Sequence, residues 1–214
     1  MLARKLLEYS GRSDAIVLAL PRGGVQVGFE VATTLALPLD VFVVRKLGVP
    51  FRPDLVVGAI APGGVVILDE PLIARLGIST HELVDEANAE RLNLERREHA
   101  YRGKSPCQDL EGKLVILVDD GLASGATMKA AIAGARRLGA EQVVVAVPVA
   151  PATSCRQIEK VADGLVCLHS PDNFHSVRDC YADFSLLSEE DIQQMLAESR
   201  AYIGDSAHAC AVGG

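Results

Sequence analysis

Apolar and polar positions divide this chain into short, nearly unbroken apolar runs separated by stretches of helical period. The runs are residues 15–20, 39–44, 114–118, 143–149 and 165–168. Apolar stretches of that length without alternation predict strands buried on both faces. Between them, Val25, Gly28, Ala32 and Leu35 mark one helix. Met128, Ala131, Ile132, Ala135 and Leu138 mark another, with Gly139 as its C-terminal stop. A third runs from Ala152 to about Ala162, with Cys155, Ile158 and Val161 inward. Ser79-Thr80-His81-Glu82 reads as a capping box. It opens a long charged helix to about Tyr101, with a narrow stripe of Leu83, Ala87, Leu94 and Tyr101. Ser188 to Asp191 caps a last helix carrying Ile192, Met195 and Leu196, and the small residues from Gly204 on predict a frayed tail. Residues 56–60 and 65–68 flank Ala61-Pro62-Gly63-Gly64 and predict a hairpin, while the two prolines and glycine of 47–54 predict a loop. Five apolar runs alternating with helices predict an α/β fold, a parallel sheet with helices on both faces.

Composition narrows the class. A length of 214 residues suits one domain with room for a small appendage. With 49% hydrophobic residues, only 4% aromatics and no Trp, the core must be built from Val, Leu, Ile and Ala. A net charge of -7 argues against a broad nucleic-acid footprint. Cys107, Cys155, Cys167, Cys180 and Cys210 form no C-x-x-C pair, so they read as reduced thiols of a cytoplasmic protein rather than a zinc site. The N-terminus carries charges throughout and does not read as a signal peptide; no apolar run approaches the roughly 20 residues needed to span a membrane.

Candidate chemistry lies at three predicted strand ends. Pro21-Arg22-Gly23-Gly24 follows the first run, Arg45-Lys46 ends the second, and Asp119-Asp120 ends the third. In parallel sheets, ligands bind beyond the strand C-termini at the switch in strand order, so these ends are expected to converge. After Asp119 and Asp120 come Gly121 to Thr127, small residues that lead into a helix. Loop amides and a helix N-terminus hold an anion, and adjacent carboxylates accept from hydroxyls: a layout for a sugar carrying a phosphate. Each segment also has a plainer reading, respectively a tight turn, a solvated strand terminus, and an acidic strand end before an ordinary helix cap. A serine hydrolase fails, because Gly121 to Gly125 is not G-x-S-x-G. A P-loop fails for lack of Gly-Lys-Ser/Thr. Arg91, Arg96 and Arg97 alternate with Glu90, Glu95 and Glu98 and read as a solvated, ion-paired helix. Arg102, just past that helix, is the arginine singled out for a functional test. No histidine shows ligand spacing, and His175 beside Phe174 is the outlier.

Val115 to Thr127 resembles the signature of type I phosphoribosyltransferases: four apolar residues, two acids, and a short loop ending in Ser/Thr-Gly-x-Thr. Pro21 to Gly24 looks like the family's pyrophosphate loop. Val43-Val44-Arg45-Lys46 is similar to the basic strand end of orotate-type members. The resemblance covers residues 14–150, and the whole chain looks most like stand-alone bacterial phosphoribosyltransferases.

This resemblance implies a Rossmann-like parallel sheet with helices on both faces and a small hood. It places the core at about 14–150, the hood in 1–13 and 148–187, and a C-terminal helix and tail in 188–214. It implies 5-phosphoribosyl 1-pyrophosphate as donor and Mg2+ as cofactor. The acceptor is then a nucleobase or other nitrogen compound, and pyrophosphate is released. Asp119 and Asp120 are implied to bind the ribose hydroxyls and the metal. Ala123, Ser124, Gly125, Ala126 and Thr127 are implied to wrap the 5-phosphate. Arg22, Gly23 and Gly24 are implied to meet pyrophosphate, with a cis peptide between Pro21 and Arg22. Arg45 and Lys46 are implied to neutralise the leaving group, under a closing loop with Arg52 at its tip. Gly121 and Ala123 depart from the family, where many members carry a larger residue and a Thr. Phe174 and Tyr181 either stack on a planar acceptor or pack the last helix. A homodimer is the family habit. The same resemblance also fits a non-catalytic sensor of the donor.

Overall fold

The computed structural model describes residues 1–49, 52–103, 105, 108–185 and 187–211. Along them the chain forms β1 (Ala15–Ala19), α1 (Gly23–Leu35), β2 (Leu39–Val41), β3 (Arg45–Val49), β4 (Arg52–Ala61), β5 (Val65–Leu68), α2 (Glu70–Leu76) and α3 (Thr80–Arg102). It continues through β6 (Leu114–Val118), α4 (Ala126–Arg137), β7 (Gln142–Val149), α5 (Ala152–Ile158), β8 (Gly164–His169) and α6 (Glu189–Ala211).

The five apolar runs supply one parallel sheet in the order β2-β1-β6-β7-β8. Strand alternation sends side chains into two cores. Val17, Ala19, Ile116, Val118 and Val144 face Val31 and Leu35 of α1, Leu94 and Tyr101 of α3, and Ile192 of α6. Ile16, Leu18, Val115, Leu117 and Val145 face Met128, Ile132 and Ala135 of α4 and Ile158 of α5. Both faces are covered, as the continuous runs require. The strand order reverses between β1 and β6, so the ligand crevice of such a sheet opens there. No helix among the described residues is long and apolar enough to cross a membrane.

A second sheet, antiparallel with order β3-β4-β5, forms a flap beside α3 and α4. The hairpin at 56–68 matches the expected one, but two neighbouring expectations are corrected. The run 39–44 does not end as one strand at Arg45-Lys46. Its pairing stops at Val41, and Phe42 and Val43 cross into the two cores on opposite sides of the sheet. An apolar run reports burial, and here burial comes from layer crossing rather than strand pairing. Residues 45–49 and 52–54 are strand rather than loop, with Leu47 fully buried; Pro50, Phe51 and the Arg52 side chain lie outside the described residues. So do Cys107 and the side chains of His208 and Cys210.

Residues 3–9, assigned to a hood, form a 3-10 turn that packs on α1. Ser10 Oγ donates to the Leu35 carbonyl at 3.1 Å, which ties this segment to the end of α1 remote from the crevice. The tail is also corrected: α6 continues through Gly204 to Ala211, an extension in which alanine recurs, the best helix former. Its capping box is present, with Asp191 N–H donating to Ser188 Oγ at 3.0 Å and Ser188 N–H donating to Asp191 Oδ2 at 2.8 Å.

Arg102 ends α3 and is buried. It donates to Asp40 Oδ1 at 2.8 Å, to Glu98 Oε1 at 2.9 Å and to the Val41 carbonyl at 2.6 Å. It therefore locks α3 to β2 and does not face the crevice, so the functional role considered for it is replaced by a structural one. Burial raises the Glu98 pKa, while the Arg102 charge opposes that rise. Arg102→Ala leaves Asp40 buried without its cation, a change that costs about 3–5 kcal/mol in buried pairs. Urea unfolding measures the loss; a value under about 1 kcal/mol, typical of an exposed pair, would contradict the locking role.

Candidate active site

β1 and β6 are hydrogen-bonded neighbours in parallel, with Ala19 opposite Val118, so the chain leaves both strands side by side. Leu20 N–H still donates to the Val118 carbonyl at 2.8 Å. Beyond that bond the two loops touch. A Cβ on Gly23 would collide with the Asp120 carboxylate, and one on Gly24 would lie 2.9 Å from both Asp119 Cα and the Val118 carbonyl oxygen. Only glycine permits this approach. The Pro21–Arg22 peptide is cis, as the family resemblance implied.

Asp120 N–H donates to Asp119 Oδ1 at 2.9 Å, which orients the first carboxylate. Burial, followed by the Asp120 charge, pushes the Asp119 pKa well above its ordinary value; burial also raises that of Asp120. Gly125, at φ 74°, turns the loop into α4. Ala126 N–H donates to Ser124 Oγ at 3.4 Å. The loop rests on α5: Ser154 Oγ donates to the Ala123 carbonyl at 2.5 Å, and Ile158 lies beneath Gly125. A cavity of 200 Å³ opens over this loop, lined by Asp119, Gly121 to Met128, Lys46 and Val177. A larger cavity of 440 Å³ lies between the flap and α4, walled largely by apolar residues such as Val56, Val57 and Ile67. Lys46, Ala126 and Thr127 line both.

The structure separates the basic pair. Lys46 reaches the cavity, but Arg45 turns to α3, where its Nε donates to Glu90 Oε2 at 2.7 Å. Successive strand residues face opposite ways, so one member of the pair had to turn aside. Arg22 also points outward: it donates to the Leu187 carbonyl at 3.1 Å and lies 3.9 Å from Glu189. Of the two aromatics, Tyr181 donates its hydroxyl to the Asp120 carbonyl at 2.5 Å and packs edge-on to Phe184 at 5.4 Å. Burial and then the two aspartates push its pKa up to about 12. Tyr181 is therefore a brace on the acidic loop. Phe174 is half-buried and does not line the loop cavity.

Sequence reasoning missed Val177 and Ser154, and read Glu90 only as part of an ion-paired helix. Val177 fills the space left by the small Gly121, whose Cβ would meet it at 2.8 Å. The departure at Gly121 was the available signal that a neighbour approaches there. Among the described residues, no group of three or more His, Cys, Asp and Glu side chains gathers as a metal cage. Two adjacent carboxylates suit instead a hard cation that keeps several waters and takes its other ligands from substrate oxygens.

The acidic pair has a stability cost. The folded Asp119 binds its proton more tightly than the unfolded chain does, with an ordinary pKa of 3.8. Its stabilising contribution is therefore full below that value and lost as pH rises through the folded one. Asp119→Asn should raise the thermal midpoint near neutral pH, with the gain disappearing in acid. Melting curves across pH check this; an equal or lower midpoint at neutral pH would contradict it.

Residues 49–185 match the family model described as "Phosphoribosyl transferase domain". The Mycobacterium tuberculosis H37Rv protein named "Putative phosphoribosyl transferase Rv0571c" is 40% identical over 195 residues, which are 91% of this chain and 44% of that protein. This chain thus spans less than half the length of its curated relative. The crystal structure of TT1426 from Thermus thermophilus superposes with a TM-score of 0.82 at 38% identity, over 92% of this chain and 93% of that one. Fold, loop geometry and these likenesses agree: the chain belongs to the phosphoribosyl transferase domain family.

Proposed function

We propose that this chain transfers the 5-phosphoribosyl group of 5-phosphoribosyl 1-pyrophosphate to a nitrogen nucleophile and releases pyrophosphate. The observation that carries this reading is the contact of two loops at the sheet's switch point. Gly23 and Gly24 press against Asp119 and Asp120, so amides and carboxylates share one crevice. A doubly anionic sugar needs that combination: anion sites on either side and hydroxyl acceptors between.

The roles follow from chemistry. The loop from Ala123 to Thr127 and the start of α4 offer backbone amides and the Ser124 and Thr127 hydroxyls to the 5-phosphate. Asp119 and Asp120 accept from the ribose hydroxyls. The amides of Gly23 and Gly24 serve the pyrophosphate, and the Lys46 ammonium faces the donor's anionic groups from the cavity it shares with Asp119 and Thr127. As the nucleophile's nitrogen bonds to C1, the C1–oxygen bond breaks, the electron pair leaves with pyrophosphate and the nitrogen's proton passes to solvent. Positive charge grows on the sugar and negative charge on the leaving group. Rate enhancement then comes from orientation and fixed electrostatics rather than a protein nucleophile.

Mg2+, when bound, supplies charge neutralisation for the pyrophosphate oxygens. Asp119 and Asp120 are the residues that would hold it. Both pKa values are raised in the protein alone; a nearby cation favours the ionised form of both.

Replacing both acids, Asp119→Asn with Asp120→Asn, should abolish pyrophosphate release from 5-phosphoribosyl 1-pyrophosphate across a panel of nucleobases while circular dichroism stays unchanged. Full turnover by this folded variant would refute the assignment.

A further inference from the structure

β3 sorts its side chains by face. Arg45 and Leu47 point one way and Lys46 the other. On the first face Leu47 is fully buried in the core that holds Leu83 and Leu94 of α3. Arg45 meets the same helix, with its Nε 2.7 Å from Glu90 Oε2, and Asn93 Nδ2 donates to the other Glu90 oxygen at 3.4 Å. Both partners are partly shielded, with side-chain exposures of 32% for Arg45 and 16% for Glu90. On the opposite face Lys46 lines the phosphate-loop cavity with Asp119 and Thr127. β3 is an edge strand whose pairing to β4 is irregular at Leu47/Gly48 and Gly48/Val49. Backbone bonds alone hold such a strand weakly, and a one-residue slip would turn Lys46 away from the cavity.

We infer that Glu90 is a positioning residue for the bound donor: by anchoring Arg45 to α3 it fixes the face of β3 from which Lys46 meets the anion. Glu90 touches no substrate itself. The Arg45 guanidinium holds its carboxyl below the ordinary range, in keeping with a maintained charge pair. This inference rests on the donor assignment proposed above and extends it to a helix that carries none of the signature residues.

The test is calorimetric binding of 5-phosphoribosyl 1-pyrophosphate with Mg2+, which needs no acceptor. Wild type, Glu90→Ala, Arg45→Gln, Lys46→Gln and the double variant Lys46→Gln/Glu90→Ala are compared. Loss of a supporting partner behind a binding group typically weakens affinity by roughly tenfold. Glu90→Ala and Arg45→Gln should each show about that loss, and Glu90→Ala should add nothing once Lys46 is gone. Glu90→Gln, which keeps the side chain's shape, should fall between wild type and Glu90→Ala, and it replaces Glu90→Ala in the cycle if that variant fails to fold. Unchanged affinity in the Glu90 variants, or losses that multiply in the double variant, would overturn the positioning role. Failure of wild type itself to bind would instead overturn the donor assignment, and this inference with it.

Discussion

The site depends on one close approach, the Pro21–Gly24 turn against the carboxylates at the tip of β6. Parallel pairing of β1 and β6 brings the two chain exits together, and glycine at positions 23 and 24 allows backbone to meet Asp119 and Asp120 directly. Any side chain at Gly23 would displace the Asp120 carboxylate. Burial at this contact raises the pKa values of both acids, and their adjacency raises that of Asp119 further.

Three supports hold this contact from outside. Ser154 and Ile158 of α5 brace the loop from Ala123 to Gly125 from below. Val177 and Tyr181 close over the acidic tip, the first filling the room left by Gly121 and the second bonding the Asp120 carbonyl. The flap brings Lys46 from the third side while Arg45 and Leu47 face α3. Arg22 is held by the chain entering α6, so the turn offers its backbone and not its cation to the crevice in this conformation.

The parallel sheet and the acidic loop were legible in the sequence because their signals are local. Each run of 114–118 type is long enough to be a buried strand, and Asp119 to Thr127 encodes its own turn and helix start. What was not legible depended on which face a residue occupies. Phe42 and Val43 read as strand because burial between layers and burial within a sheet look alike in one dimension. Arg45 and Lys46 read as a pair because adjacency in sequence hides their opposite directions. Arg102 was singled out for a functional test because its partner Asp40 is 62 residues away and gives no local signal. Residues 3–9 carried no sign of which end of α1 they cover.

Backbone amide NMR during a titration with 5-phosphoribosyl 1-pyrophosphate and Mg2+ tests the shared crevice most directly. The account predicts that amides of Gly23 and Gly24 and those of Ser124 to Thr127 shift together, with one midpoint, whereas inorganic phosphate moves the second group first. Shifts confined to one loop, or two loops saturating at different concentrations of the intact donor, would contradict a single site built from both.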